Sequence, residues 1–169
     1  HAATTVRHLV THANGLPPYY EAFDPHFAPG AVRTTQDLLA VTARIAPQPA
    51  FAPGTRFEYS NLGFDAAALV IERRRGLGYG AFLREGFLAR PEISRTCARP
   101  ARFSDWAGVR TMGYEWKAGA WQVVDVYDGE AFLGASNLYF SAADLSRWAR
   151  ANAAGTAVPP EVLAAGQER

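Results

Sequence analysis

One cysteine, Cys97, one methionine, Met112, and one lysine, Lys117, occur in 169 residues. The lone cysteine excludes an internal disulfide framework. No histidine is near it in sequence, so it reads as a buried thiol rather than a nucleophile. No run of about 18 apolar residues occurs, so no helix spans a membrane. Charge of one sign is also lacking: 17 Lys and Arg against 16 Asp and Glu leave +1. That excludes the basic face that nucleic acid or an anionic membrane surface requires. No G-x-S-x-G is present, so no nucleophile elbow is expected, and no phosphate-binding loop or dinucleotide fingerprint occurs.

Lys117 is the only lysine among the 17 basic residues, and the rest are arginine. An arginine stays charged, with a pKa above about 12, so chemistry that needs a neutral amine has one candidate. What is present describes a folded chain: 49% hydrophobic, 12% aromatic and 20% charged residues. A chain of this size buries about two-thirds of its unfolded surface. Residues 1–169 read as a single domain.

Local signals give about six helices. Thr5 caps a short one over Val6 to His12, which Asn14-Gly15 ends. Leu16 to Arg33, rich in proline and aromatics, reads as a long loop. Thr34 or Thr35 opens a helix with Leu38, Leu39, Val41, Thr42 and Ile45 inward, stopped by Pro47 and Pro49. Pro53-Gly54 turns, Arg56 to Tyr59 runs extended, and Ser60 or Asn61 opens a helix to Gly76. A further helix covers Tyr79 to Leu88, with Phe82, Leu83 and Phe87 buried. Met112–Trp116 and Trp121–Val126 form a β-hairpin with Ala118-Gly119 at its turn. Ser141-Ala142-Ala143-Asp144 is close to a capping box. Pro159-Pro160-Glu161 opens the last helix. The class is mainly α with one short β-hairpin.

His8 and His12, four apart on a predicted helix, could face one metal ion. The glutamate of H-E-x-x-H is absent, so a hydrogen-bonding role is preferred and no metal is expected. Arg73-Arg74-Arg75 falls at a helix C-terminus, where cations complement the macrodipole. Tyr59-Ser60-Asn61 sits where a loop enters a helix and can face a cleft.

Three blocks carry a resemblance. Val6-Arg7-His8-Leu9-Val10-Thr11-His12-Ala13-Asn14-Gly15-Leu16 resembles the R-H-L-L-T-H-x-S-G-L segment of class C-type serine β-lactamase relatives. That group includes penicillin-binding-protein-like carboxypeptidases and esterases. Phe51 to Gly63 is similar to their F-x-P-G-x-x-F-x-Y-S-N-x-G signature. Leu138 to Ala149 is similar to their G-L-x-S-T-A-x-D-L-A-R-F helix. The blocks come in the family's order, and the resemblance runs from about Thr5 to about Ala165.

The resemblance implies that Tyr59 and Asn61 are catalytic. Tyr59 would assist proton transfer to and from a nucleophilic serine, and Asn61 would hydrogen-bond the substrate and a catalytic lysine. It implies a small acyl substrate: a β-lactam, a D-alanyl peptide or an ester. No cofactor is implied, and a periplasmic or secreted location is. The chain resembles the helical subdomain of the β-lactamase/transpeptidase-like α/β fold.

Two of the family's motifs are missing. S-x-x-K supplies the nucleophile and its lysine. Here the only lysine has Tyr114 three residues before it. K-T-G or H-x-G is imitated by Lys117-Ala118-Gly119, which lacks the hydroxyl and falls at the predicted hairpin turn. Gly134-Ala135-Ser136-Asn137-Leu138 also departs from the consecutive glycines of relatives. The expectation is a central fragment of a serine hydrolase, inert alone, with an exposed apolar face that favours homo-oligomers. The alternative is a non-catalytic module that binds a ligand or partner.

Overall fold

The computed structural model describes residues 3–17, 34–98, 111–124, 132–136 and 138–167. Six α-helices appear among them: α1 Val6–Val10, α2 Thr35–Ile45, α3 Asn61–Arg75, α4 Tyr79–Glu85, α5 Ala142–Ala153 and α6 Pro160–Gln167. A 3-10 turn covers Pro91–Ile93. The strands are β1 Cys97–Ala98, β2 Tyr114–Lys117, β3 Ala120–Val123 and β4 Leu138–Tyr139. The expected loop at 16–33 lies outside the described residues beyond Pro17, as does the hairpin's expected end at Val126.

Local hydrogen bonds set the helix starts. Thr5 Oγ1 accepts from His8 N–H, and His8 Nδ1 accepts from Thr5 N–H, closing a capping box in which histidine takes the usual glutamate's place. Thr34 rather than Thr35 caps α2, reciprocated by Asp37. Ser60 caps α3, accepting from Gly63 N–H at 3.2 Å, and Gly76 ends it in the left-handed conformation.

Helix α3 is the hub. It packs against α1, α2 and α4. Ala68 and Leu69 join Leu133 in the core, with Leu39 and Tyr79 packed on them. Leu62 is fully buried and Leu69 nearly so. Burying each contributes about 1.5–3 kcal/mol. The approach of α1 requires glycine at 63. A Cβ there would stand 2.6 Å from Asn14 Nδ2 and 2.7 Å from the Leu9 carbonyl oxygen.

Several expectations need correction. Helix α1 stops at Val10, because His12 takes φ +56° and turns the chain away. Helix α4 stops at Glu85, three residues early, and only Leu83 of its three expected core residues is buried. The expected extended run from Arg56 to Tyr59 pairs in no ladder, and Arg56 lies in a bend. Cys97 is exposed, not buried, because successive residues of its strand point to opposite sides and it is Ala98 that faces inward. That strand pairs antiparallel with β4, Cys97 opposite Tyr139, a sheet the sequence did not suggest.

The hairpin forms with the expected turn, but its strands are Tyr114–Lys117 and Ala120–Val123, shorter than the expected Met112–Trp116 and Trp121–Val126. Trp116 pairs with Trp121 and Tyr114 with Val123, all exposed. Ala118 and Gly119 both take positive φ, as a two-residue hairpin turn requires.

Ser141 caps α5 by accepting from Asp144 N–H, but Asp144 does not reach back to complete the box. Its carboxylate instead accepts from Arg95 N–H at 2.7 Å, from the Thr96 hydroxyl at 2.9 Å and from Arg147. Burial alone would raise its pKa. The Thr96 hydroxyl, the Arg95 N–H and the Arg147 guanidinium outweigh that and hold it below the usual carboxylate range.

Candidate functional site

Tyr59 and Asn61 flank the Ser60 cap. Tyr59 directly precedes the extended Ser60 cap, and Asn61 is the first residue of the helix. The cap therefore brings both side chains to the same helix end. The Tyr59 hydroxyl donates to Asn61 Oδ1 at 2.7 Å. A phenol that donates still offers its oxygen lone pairs to an incoming proton donor. Tyr59 remains 65% exposed, so the pair faces solvent.

The pair rests on a backbone ledge. Ala50 N–H donates to the Gly15 carbonyl, Gly54 N–H to that of Ala13 and Glu58 N–H to that of His12, each at 2.8 Å. Ser60 N–H donates to His12 Nδ1 at 3.1 Å. The His12 ring lies 4.6 Å from the Tyr59 ring, with Phe57 and Phe64 at 5.5 and 5.2 Å.

The histidines do not act as one metal pair. His8 Nδ1 is bonded to Thr5 N–H and His12 Nδ1 to Ser60 N–H, and only His8 is on the helix. Among the described residues no group of three or more His, Cys, Asp or Glu could hold a metal ion. Lys117 ends β2, and its Nζ pairs with Glu115 at 3.1 Å, so the Lys-Ala-Gly sequence lies at a hairpin turn.

One carboxylate escaped the sequence reading. Asp65 is fully buried one turn into α3. Its Oδ1 accepts from Gly134 N–H at 2.9 Å and Ala135 N–H at 3.0 Å, while Oδ2 is buried with no hydrogen-bond partner among the described residues. Burial raises its pKa to about 6, against the opposing pull of the Ala135 and Gly134 N–H groups. Burial and then the Asp65 charge push the Tyr79 hydroxyl above its ordinary range. A signal was available: Asp65 falls on the inner stripe of α3, three after Leu62 and four before Leu69. Beside it opens a recess of about 380 Å³ lined by Tyr79, Leu133, Gly134, Ala135, Ser136 and Leu138. Tyr59 and Asn61 do not line it.

The raised pKa of Asp65 predicts a pH dependence. The folded form holds its proton to about pH 6, the unfolded form only to about 3.8. The stabilising contribution is complete below the unfolded value and is lost as pH rises through the folded one. The Asp65→Asn variant should remove that loss. Its stability relative to the native chain should rise by up to about 3 kcal/mol between pH 4 and 7. Urea unfolding of both chains across that range checks it. A constant difference would contradict the titration.

The fold recurs in known proteins. Penicillin-binding protein 4* of Bacillus subtilis is 27% identical over 100 residues, which are 59% of this chain and 22% of that protein. The penicillin-binding protein of Bacillus halodurans superposes with a TM-score of 0.76 at 23% identity, over 97% of this chain and 49% of that one. A D-stereospecific amidohydrolase from a Streptomyces species superposes at 0.71 and 25% identity, over 95% and 49%. The chain thus spans half or less of the length of the relatives it matches. These likenesses give a mainly helical portion of the β-lactamase/transpeptidase fold, and the Beta-lactamase family model matches residues 1–169. The chain, which carries the three sequence blocks, belongs to the Beta-lactamase family.

Proposed function

We propose that residues 1–169 form the helical subdomain of a serine hydrolase that works by acyl transfer through an acyl-enzyme, with Tyr59 and Asn61 as its catalytic residues here. The observation that carries this is the 2.7 Å bond between Tyr59 Oη and Asn61 Oδ1 at the start of α3. The nucleophilic serine and its lysine come from sequence outside these residues, since no S-x-x-K occurs within them. The acylation step requires Tyr59 as the phenolate, its proton given up to solvent beside the cationic lysines that lie outside these residues. The phenolate then takes the proton from the serine hydroxyl as it attacks the acyl carbon and returns it to the leaving group. Asn61 orients the tyrosine hydroxyl and bonds the acyl substrate. The substrate is a β-lactam, a D-alanyl peptide or a small ester. The amidohydrolase relative's D-stereospecificity supports an acyl group of D configuration.

The 169-residue chain alone should be inert. Incubation with a chromogenic β-lactam, an aryl ester and a serine-directed phosphonate should give neither turnover nor label. Label on any serine of the chain would overturn the reading. No helix among the described residues is long and apolar enough to cross a membrane. Phe57, Trp116 and Trp121 are all more than half exposed, which supports self-association of the chain. Light scattering on the same sample should show a dimer or larger species; a monomer at high concentration would contradict that.

A further inference from the structure

We infer that His12 is the positioning residue of Tyr59, holding the tyrosine through both neighbouring backbone amides and through its ring. The inference rests on the catalytic reading of Tyr59. Its geometry stands apart from that reading.

His12 meets three successive residues. Its carbonyl accepts from Glu58 N–H at 2.8 Å, and its Nδ1 accepts from Ser60 N–H at 3.1 Å. These are the amides on either side of Tyr59. The Tyr59 ring lies on the imidazole, with centroids 4.6 Å apart and planes 35° from parallel. One residue therefore fixes the tyrosine's main chain before and after it and one face of its ring. The hydroxyl at the far end then meets Asn61 Oδ1.

The backbone of His12 is shaped for this. At φ +56° it occupies the left-handed region, which disfavours most side chains. That conformation turns the chain out of α1, so the carbonyl and the ring both face the segment before α3. Nδ1 must carry a lone pair to accept from an amide, so the neutral ring bears its proton on Nε2. Histidine alone combines a flat ring for Tyr59 with an acceptor for Ser60. Phenylalanine keeps the ring and loses the acceptor. Asparagine keeps an acceptor near the Nδ1 position, tolerates positive φ and loses the ring.

Nitrogen-15 NMR of the native 169-residue chain should show His12 as the Nε2–H tautomer; the Nδ1–H tautomer would overturn the inference without any variant. In His12→Phe the Ser60 amide should exchange with solvent about five- to tenfold faster, the loss of one hydrogen bond. In His12→Asn it should stay within about twofold of native, while the Tyr59 ring and Asn61 side-chain resonances move. Unchanged Tyr59 and Asn61 resonances in a folded His12→Asn chain would overturn the positioning role. Unchanged Ser60 exchange in a folded His12→Phe chain would do so as well. If His12→Phe does not fold, the native tautomer and His12→Asn decide. The Tyr59→Phe variant separates the two readings: it should keep the His12 tautomer and Ser60 protection even if Tyr59 has no part in catalysis.

Discussion

Gly134→Ala should destabilise the chain by about 3 kcal/mol or more, at the upper end of overpacking costs. A Cβ at this position would fall onto the Phe64 carbonyl and stand 2.9 Å from Asp65 N. Those atoms are helix backbone, so they cannot step aside without breaking α3. The loop would have to move instead. Moving it withdraws the Gly134 and Ala135 amides from Asp65 Oδ1. The carboxylate would then be buried with fewer donors, which costs more than the contact itself. Gly76→Ala is the control. It adds a Cβ into open space at φ +68° and should cost only about 1 kcal/mol. Chemical denaturation of the two variants should separate them by at least about twofold in lost stability. Equal losses would mean that the Gly134 loop yields freely.

Tyr59→Phe should lower kcat of the hydrolase that carries this chain by about 10²- to 10⁴-fold, the usual worth of a positioned acid–base group. That is about 3–5 kcal/mol of the barrier. The variant removes one oxygen and keeps the ring on His12, so the ledge and the α3 cap remain. On the proposed role KM should change little, because the lost oxygen would act on the moving proton rather than on the bound substrate. Asn61→Ala removes the acceptor of the Tyr59 hydroxyl and should impair both parameters. A rise in KM with unchanged kcat in Tyr59→Phe would point to binding alone.

Elements made by near neighbours were legible in the sequence. The caps at Thr5, Thr34, Ser60 and Ser141 each close over three residues, so the residue types place them to within one residue, with Thr34 against Thr35 and Ser60 against Asn61 left open. The hairpin was legible for the same reason, its two turn residues lying between strands of high β propensity. What was not legible depends on distant partners. His12 finds Ser60 48 residues away, and Asp65 finds Gly134 69 residues away. No periodicity marks such pairs. The strand that turns Cys97 outward and Ala98 inward forms only by pairing with Leu138–Tyr139, again a distant event. Asp144 shows the limit most plainly. Its spacing from Ser141 suggested a reciprocal cap, yet its carboxylate serves Arg95 and Thr96 from another part of the chain. The Tyr59–Asn61 pair was named from its motif, but the His12 ledge beneath it was not.

The central claim is that Tyr59 serves a serine outside these residues. The rate at which a serine-directed phosphonate labels the hydrolase carrying this chain, native against Tyr59→Phe, tests it most directly. The account predicts one labelled serine, none within residues 1–169, and labelling at least about a hundredfold slower in the variant. Label on Ser60 or any other serine of this chain, or equal rates in both proteins, would contradict it.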